Sequence, residues 1–250
     1  DDAMLSNTTG RENTALGKGA LYSNTTGYQN TAVGAGSLAF NTTGNINTAV
    51  GSGALYSNTT GTENEAMGNG ALYNNTTGSY NSALGNGALW SNTTGSENVA
   101  LGSGAMLSNT TGAENIAIGV VALYNNTEGT TNVAIGDSAL YSNTTGENNV
   151  AIGADALLNN TTVSNLTAIG TGALKSNTTG IENVAVGRMI AVCGDNAGHC
   201  GSMTNNVVAI CGVAGHNICA LWMEFSLQFR NLSNAAIHNR NQHTISGNSV

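Results

Sequence analysis

Apolar residues in this chain come as doublets, a small residue followed by a larger one. The first kind reads Ala15-Leu16, Ala32-Val33, Ala49-Val50, Ala66-Met67, Ala83-Leu84 and so on to Ala185-Val186. The second reads Ala3-Met4, Ala20-Leu21, Ala54-Leu55, Ala105-Met106 and Ala173-Leu174, with Ser37 the one position where Ala is replaced. Both kinds recur every 17 residues, and no insertion or deletion breaks the register from Ala3 to Gly187. The segments between turn residues are too short for helices. Neighbouring strand residues point to opposite faces, so a doublet apolar at both positions asks for burial on both faces unless the chain bends within it. The position before the first Ala is mostly β-branched (Thr14, Thr31, Val99, Ile116, Val133), as strands prefer, and Glu65 in the same column shows that it reaches solvent. Each repeat is therefore read as two short strands joined by two tight turns, forming one coil of a stacked array.

The predicted fold is all-β: a β-solenoid (parallel β-helix or β-roll) with one coil per 17-residue repeat and about eleven coils over residues 1–187. An irregular, β-rich, cysteine-containing region is expected over residues 188–250. At about 4.8 Å per coil, the rod is roughly 50 Å long. Two Gly columns punctuate the repeat, one through Gly10, Gly27 and Gly44, the other unbroken from Gly17 to Gly187. They mark places where the backbone needs positive φ or a close approach. Burying two large apolar side chains per repeat falls well short of the entropy lost in ordering 17 residues. Ladders between coils must carry much of the stability, and burial between chains is expected to add to it.

Three columns stand out as candidates for function. An aromatic ladder follows the second doublet at Tyr22, Tyr56, Tyr73, Trp90, Tyr124 and Tyr141, interrupted by Ala39, Leu107, Leu158 and Lys175. Lys175 argues that the column is at least partly exposed. The ladder is read as an amphipathic cover over the thin core, an inter-subunit contact or a sugar-stacking surface. A second column, Asn13, Asn30, Asn47, Asn64, Asn81, Asn98, Asn115, Asn132 and Asn149, lapses at Leu166. It reads as stacked side-chain amides bonding along the array.

The third column is the Asn-Thr-Thr triplet at Asn7, Asn24, Asn41, Asn58, Asn75, Asn92, Asn109, Asn143, Asn160 and Asn177. Asn126 keeps the phase as Asn-Thr-Glu, and Val163 replaces the Gly that closes the other motifs. Each triplet is a glycosylation sequon, so outward side chains would give a glycan-coated rod. The competing and preferred reading is an inward Asn ladder. Adjacent Thr residues such as Thr25-Thr26 disfavour an ice-binding face, which needs alternating outward Thr.

Composition narrows the partners. Charged residues make up only 8% of the 250, and 6 Lys and Arg against 14 Asp and Glu give a net charge of −8. Nucleic acid is disfavoured, because phosphate binding needs clustered cations. No apolar run approaches the roughly 20 residues of a membrane helix. Acidic residues are scattered on turns (Glu12, Glu63, Glu97, Glu114, Glu182), and no nucleophile–base set, phosphate loop or cofactor motif is recognisable. The expectation is a non-enzyme without cofactor or metal. The chain starts at Asp1, which fits a processed or partial protein, and clustered Cys in a Lys-poor chain fit an oxidising, extracellular or cell-surface setting.

Beyond Gly187 the period fails, although Asn206 to Gly212 resembles a degenerate first doublet. Cys193, Cys200, Cys211 and Cys219 are candidate disulfide residues; their spacing lacks the short paired knuckles of structural zinc sites. Leu221, Met223, Phe225, Leu227 and Phe229 alternate with polar residues after Trp222 and read as a capping or assembly strand.

The repeat N-T-A-V-G-x-G-A-L-Y-S-N-T-T-G resembles the tandem repeats of bacterial and phage fibre proteins. Its Asn-x-Ala-Val/Ile-Gly core is similar to the N-S-V-A-I-G motif of YadA-like trimeric autotransporter heads. That resemblance covers Ala3 to Gly187 and implies a trimeric left-handed parallel β-roll that adheres to surfaces. The repeats begin in mid-unit, so the first coil, at Ala3 and Met4, is expected to dock on the C-terminal strand of another copy. The function expected is a structural subunit of an extracellular, self-assembling filament with head-to-tail stacking. The alternative is a trimeric adhesin or tail-fibre head binding a glycan or host surface.

Overall fold

The computed structural model describes residues 2–190 together with the strand backbones of Val208–Ile210 and Leu221–Trp222. Eleven three-residue strands, from β1 (Thr14–Leu16) through β6 (Val99–Leu101), β7 (Ile116–Ile118) and β10 (Thr167–Ile169) to β11 (Val184–Val186), recur once per 17-residue coil. They pair in sequence order as one parallel sheet, in register, with Ala15 opposite Ala32 and so on to Ala168 opposite Ala185. The all-β solenoid expected from the repeat is the observed fold. β12 (Val208–Ile210) continues the sheet in parallel, with Ala209 opposite Ala185. β13 (Leu221–Trp222) then pairs antiparallel to β12. The array thus extends past the end of the strict repeat, through the segment that resembles a first doublet. Met223, Phe225, Leu227, Phe229 and the four cysteines lie outside the described residues.

The coil differs from expectation in how each doublet is placed. Only the first doublet lies in a strand; the second lies in consecutive turns. The reason is the backbone at its large residue, since Leu21 has φ 51°, Leu55 φ 51° and Leu140 φ 53°. A left-handed residue turns the chain sharply, so Ala20 and Leu21 both point inward and both are fully buried. The bend satisfies a doublet that a straight strand could not.

The first doublet resolves the other way. Its Ala is buried in nearly every coil, but its larger partner faces out: Leu16 is 67% exposed, Leu84 49% and Met67 44%. Double-sided burial of this doublet does not occur among the described residues. The core is accordingly thin, made of two Ala columns, one Leu or Met column and two columns of buried Asn.

Candidate functional site

Both Asn columns point inward. In the Asn-Thr-Thr column, Asn41 Nδ2 donates to Asn24 Oδ1 of the preceding coil at 2.8 Å and to Gly44 O of its own turn at 3.0 Å. The same pair of bonds recurs from Asn24 to Asn160. Each of these side chains from Asn24 to Asn177 has no accessible surface. Buried amides whose hydrogens are already used leave no place for a glycan on the nitrogen. The outward-sequon reading is corrected on that ground for Asn24 to Asn177, where the ladder reading describes the geometry; Asn7, in the first coil, is half-buried.

The second column works alongside it. Asn47 accepts two bonds on Oδ1, from Asn64 N at 3.0 Å and Asn64 Nδ2 at 3.2 Å, and donates to Gly61 O at 2.9 Å. Gly27, Gly44 and their equivalents are thereby held by two amides each. These glycines do not have positive φ. A Cβ on Gly95 would overlap Asn92 Oδ1 and the carbonyl of Gly112 in the next coil. The column is glycine because one backbone presses on another, a requirement of approach and not of dihedral angle. A third ladder runs through Thr25, Thr42 and Thr59, whose Oγ1 atoms donate to the carbonyl 17 residues on at 3.0 Å.

The aromatic ladder is a stacked strip. Tyr56 and Tyr73 lie 4.8 Å apart at 8°, Tyr73 and Trp90 4.5 Å apart at 4°, and Tyr124 and Tyr141 5.2 Å apart at 10°. Phe40, next to the column's Ala39, fills the gap edge-on to Tyr56 at 5.0 Å. Tyr22 is exposed, and the other members are half-buried. Neighbouring rings cover one another's faces within the strip, so the surface there is a row of ring edges and hydroxyls. A sugar platform needs open faces, and this geometry fits the cover reading instead.

The strip has a sequence signal that inspection by single columns misses. Four of the rings lie over the glycine 20 residues before them: Tyr56 over Gly36, Tyr73 over Gly53, Trp90 over Gly70 and Tyr124 over Gly104. Where that glycine becomes Asp155, the residue 20 later is Lys175, and Nζ reaches Asp155 Oδ2 at 2.8 Å. A 20-residue offset in a 17-residue repeat is the turn of one coil meeting the next.

The outer face of the sheet is the remaining surface of note. It carries the residues on either side of each inward Ala. Over coils six to nine both columns are apolar: Val99 and Leu101, Ile116 and Ile118, Val133 and Ile135, Val150 and Ile152. Toward the N-terminal end one column turns polar, as Thr48, Glu65 and Ser82. A shallow trough of about 240 Å³ lies between the columns beside Glu65 and Met67.

Among the described residues, no group of His, Cys, Asp and Glu is placed to hold a metal ion, and no helix is long and apolar enough to cross a membrane. The fold defines a parallel β-solenoid built on buried amide ladders. The chain matches no protein family, no curated protein and no solved structure.

Proposed function

We propose that the chain is a structural rod that associates side by side with copies of itself, as part of an extracellular or cell-surface fibre. The observation that carries this reading is the outer sheet face, whose column from Leu16 to Val186 is apolar in every coil, on a molecule with a net charge of −8. Eleven strands at about 4.8 Å and three residues of about 3.3 Å give a footprint of roughly 500 Å² per copy. A pair would bury on the order of 1,000 Å², the lower bound for a specific interface. The occupant is a second copy because the stripe is periodic. Side chains spaced every coil interdigitate best with a surface of the same spacing, and another copy of this chain has it. The fibre and autotransporter repeats that the sequence resembles imply three copies, which agrees with this reading.

Analytical ultracentrifugation of the purified chain at micromolar concentration tests the proposal. A discrete oligomer is expected, and Ile118→Glu with Ile135→Glu should give monomer with unchanged circular dichroism. A monomeric parent chain would overturn it. Head-to-tail stacking of such rods into filaments draws support from the sameness of the bonds between coils, which any two coils could form. Electron micrographs of long uniform fibres would bear it out, and short discrete rods would remove it.

A further inference from the structure

One coil breaks two rules at once. In the coil beginning at Asn160, the closing Gly becomes Val163 and the second-ladder Asn becomes Leu166; both are buried. Every other glycine of that column from Gly10 to Gly146 presses against a carbonyl of the next coil, leaving no room for a Cβ. Val163 has that Cβ and two methyl groups beyond it, so the next coil cannot close at this corner.

The hydrogen bonds record the effect. At a regular boundary, Thr25, Thr26 and Gly27 N–H all converge on Thr42 O, at 3.0, 3.2 and 3.4 Å. Glu97 N likewise donates to Ser79 O at 3.0 Å. Across the boundary between Asn160 and Asn177, none of the corresponding bonds forms among the described residues: Thr161, Thr162 and Val163 do not reach Thr178 O, and Glu182 N does not reach Ser164 O. Asn177 Nδ2 keeps its own-turn bond to Gly180 O, yet Asn160 Oδ1, the atom that accepts from the next coil's Asn elsewhere in the ladder, is buried here without a partner. Leu166 supplies no amide to repeat the 2.8 Å bond that Asn149 Nδ2 makes to Val163 O. A groove of about 500 Å³ opens there, lined by Thr162, Val163 and Ser164 on one coil and by Thr178, Thr179 and Glu182 on the other.

The opposite side of the same boundary is intact. Thr167 N donates to Asn183 O at 2.9 Å, Gly187 N to Ile169 O at 2.7 Å, and Leu174 N to Ile190 O at 2.8 Å. β10 and β11 stay paired in register.

We propose that this boundary is a built-in joint of the solenoid, in which Val163 and Leu166 wedge one corner open and leave the β10–β11 side alone to hold the coil that follows, so that this pairing parts more readily than any other in the sheet. The coils before it move as one locked body. The coil from Asn177 opens against that body as a unit, at far lower cost than any earlier boundary, because the three ladders that must break elsewhere are already absent.

Hydrogen exchange of the full chain tests this. β11 amides, although hydrogen-bonded, should exchange at least tenfold faster than those of β6 and β7. Val163→Gly with Leu166→Asn restores both ladder positions and should slow β11 exchange at least tenfold while leaving β6 and β7 unchanged. The reciprocal change, Gly95→Val with Asn98→Leu, should create a second fast-exchanging boundary in mid-rod. If the repaired chain exchanges at β11 as the parent does, the wedge is not the cause and the proposal fails, since simple fraying near the end of the array would ignore the repair. Equal protection of β6 and β11 in the parent would also overturn it.

Discussion

At the scale of single residues, the molecule depends on asparagines that behave as backbone. Asn92 Nδ2 donates to Asn75 Oδ1 and Gly95 O, and its Oδ1 accepts from Asn109. Asn92→Ala strands buried groups on two neighbouring coils, and should lower stability by about 3 kcal/mol, read from the urea midpoint. Thr94, exposed two positions further on in the same turn, is the control, and its change to Ala should be nearly silent. Backbone angle carries a second expectation. Val121 occupies a turn column that is Gly in most coils, at φ 49°, a region β-branched residues rarely adopt. Val121→Gly should raise the melting temperature, with a gain of about 1 kcal/mol. The Asn columns are legible from the 17-residue phase alone, and stacked amides are the preferred reading of them, but that they face inward is shown only by their burial. The reason for the Gly10 column is not, because it is a collision with a carbonyl one coil away.

At the scale of the coil, one three-residue strand and a run of left-handed turns replace the two strands expected. The pattern marks the second doublet as buried, but its period does not separate a strand from a turn in which Leu adopts positive φ. The aromatic strip belongs to this scale too. Tyr73 stacks between Tyr56 and Trp90, so Tyr73→Ala should cost about 1–2 kcal/mol and uncover the faces of both neighbours. Gly70 lies under the Trp90 ring. Gly70→Ala should therefore push that ring outward, which Trp fluorescence would report as a red shift.

At the scale of the whole molecule, the same thin core that makes a single coil untenable leaves the larger residue of each first doublet on the surface. The association proposed through that stripe would be apolar, so the oligomer it predicts should persist from low to high salt, and ultracentrifugation across that range checks it. The joint at Val163 sits at the same scale, since it shows only when one boundary is compared with all the others. Each of its two residues is a lapse in a separate column, and only their placement at one corner joins them.

The sequence by itself determined the solenoid, its repeat length, the parallel register and the identity of the stacked columns. Those follow from periodicity, because a strict repeat leaves one way for identical units to bond. Only the tertiary structure decided which side of each column faces in. That choice depends on backbone turns, on a carbonyl pressing against a glycine, and on rings meeting residues 20 positions away, contacts made between coils and carried by no single repeat.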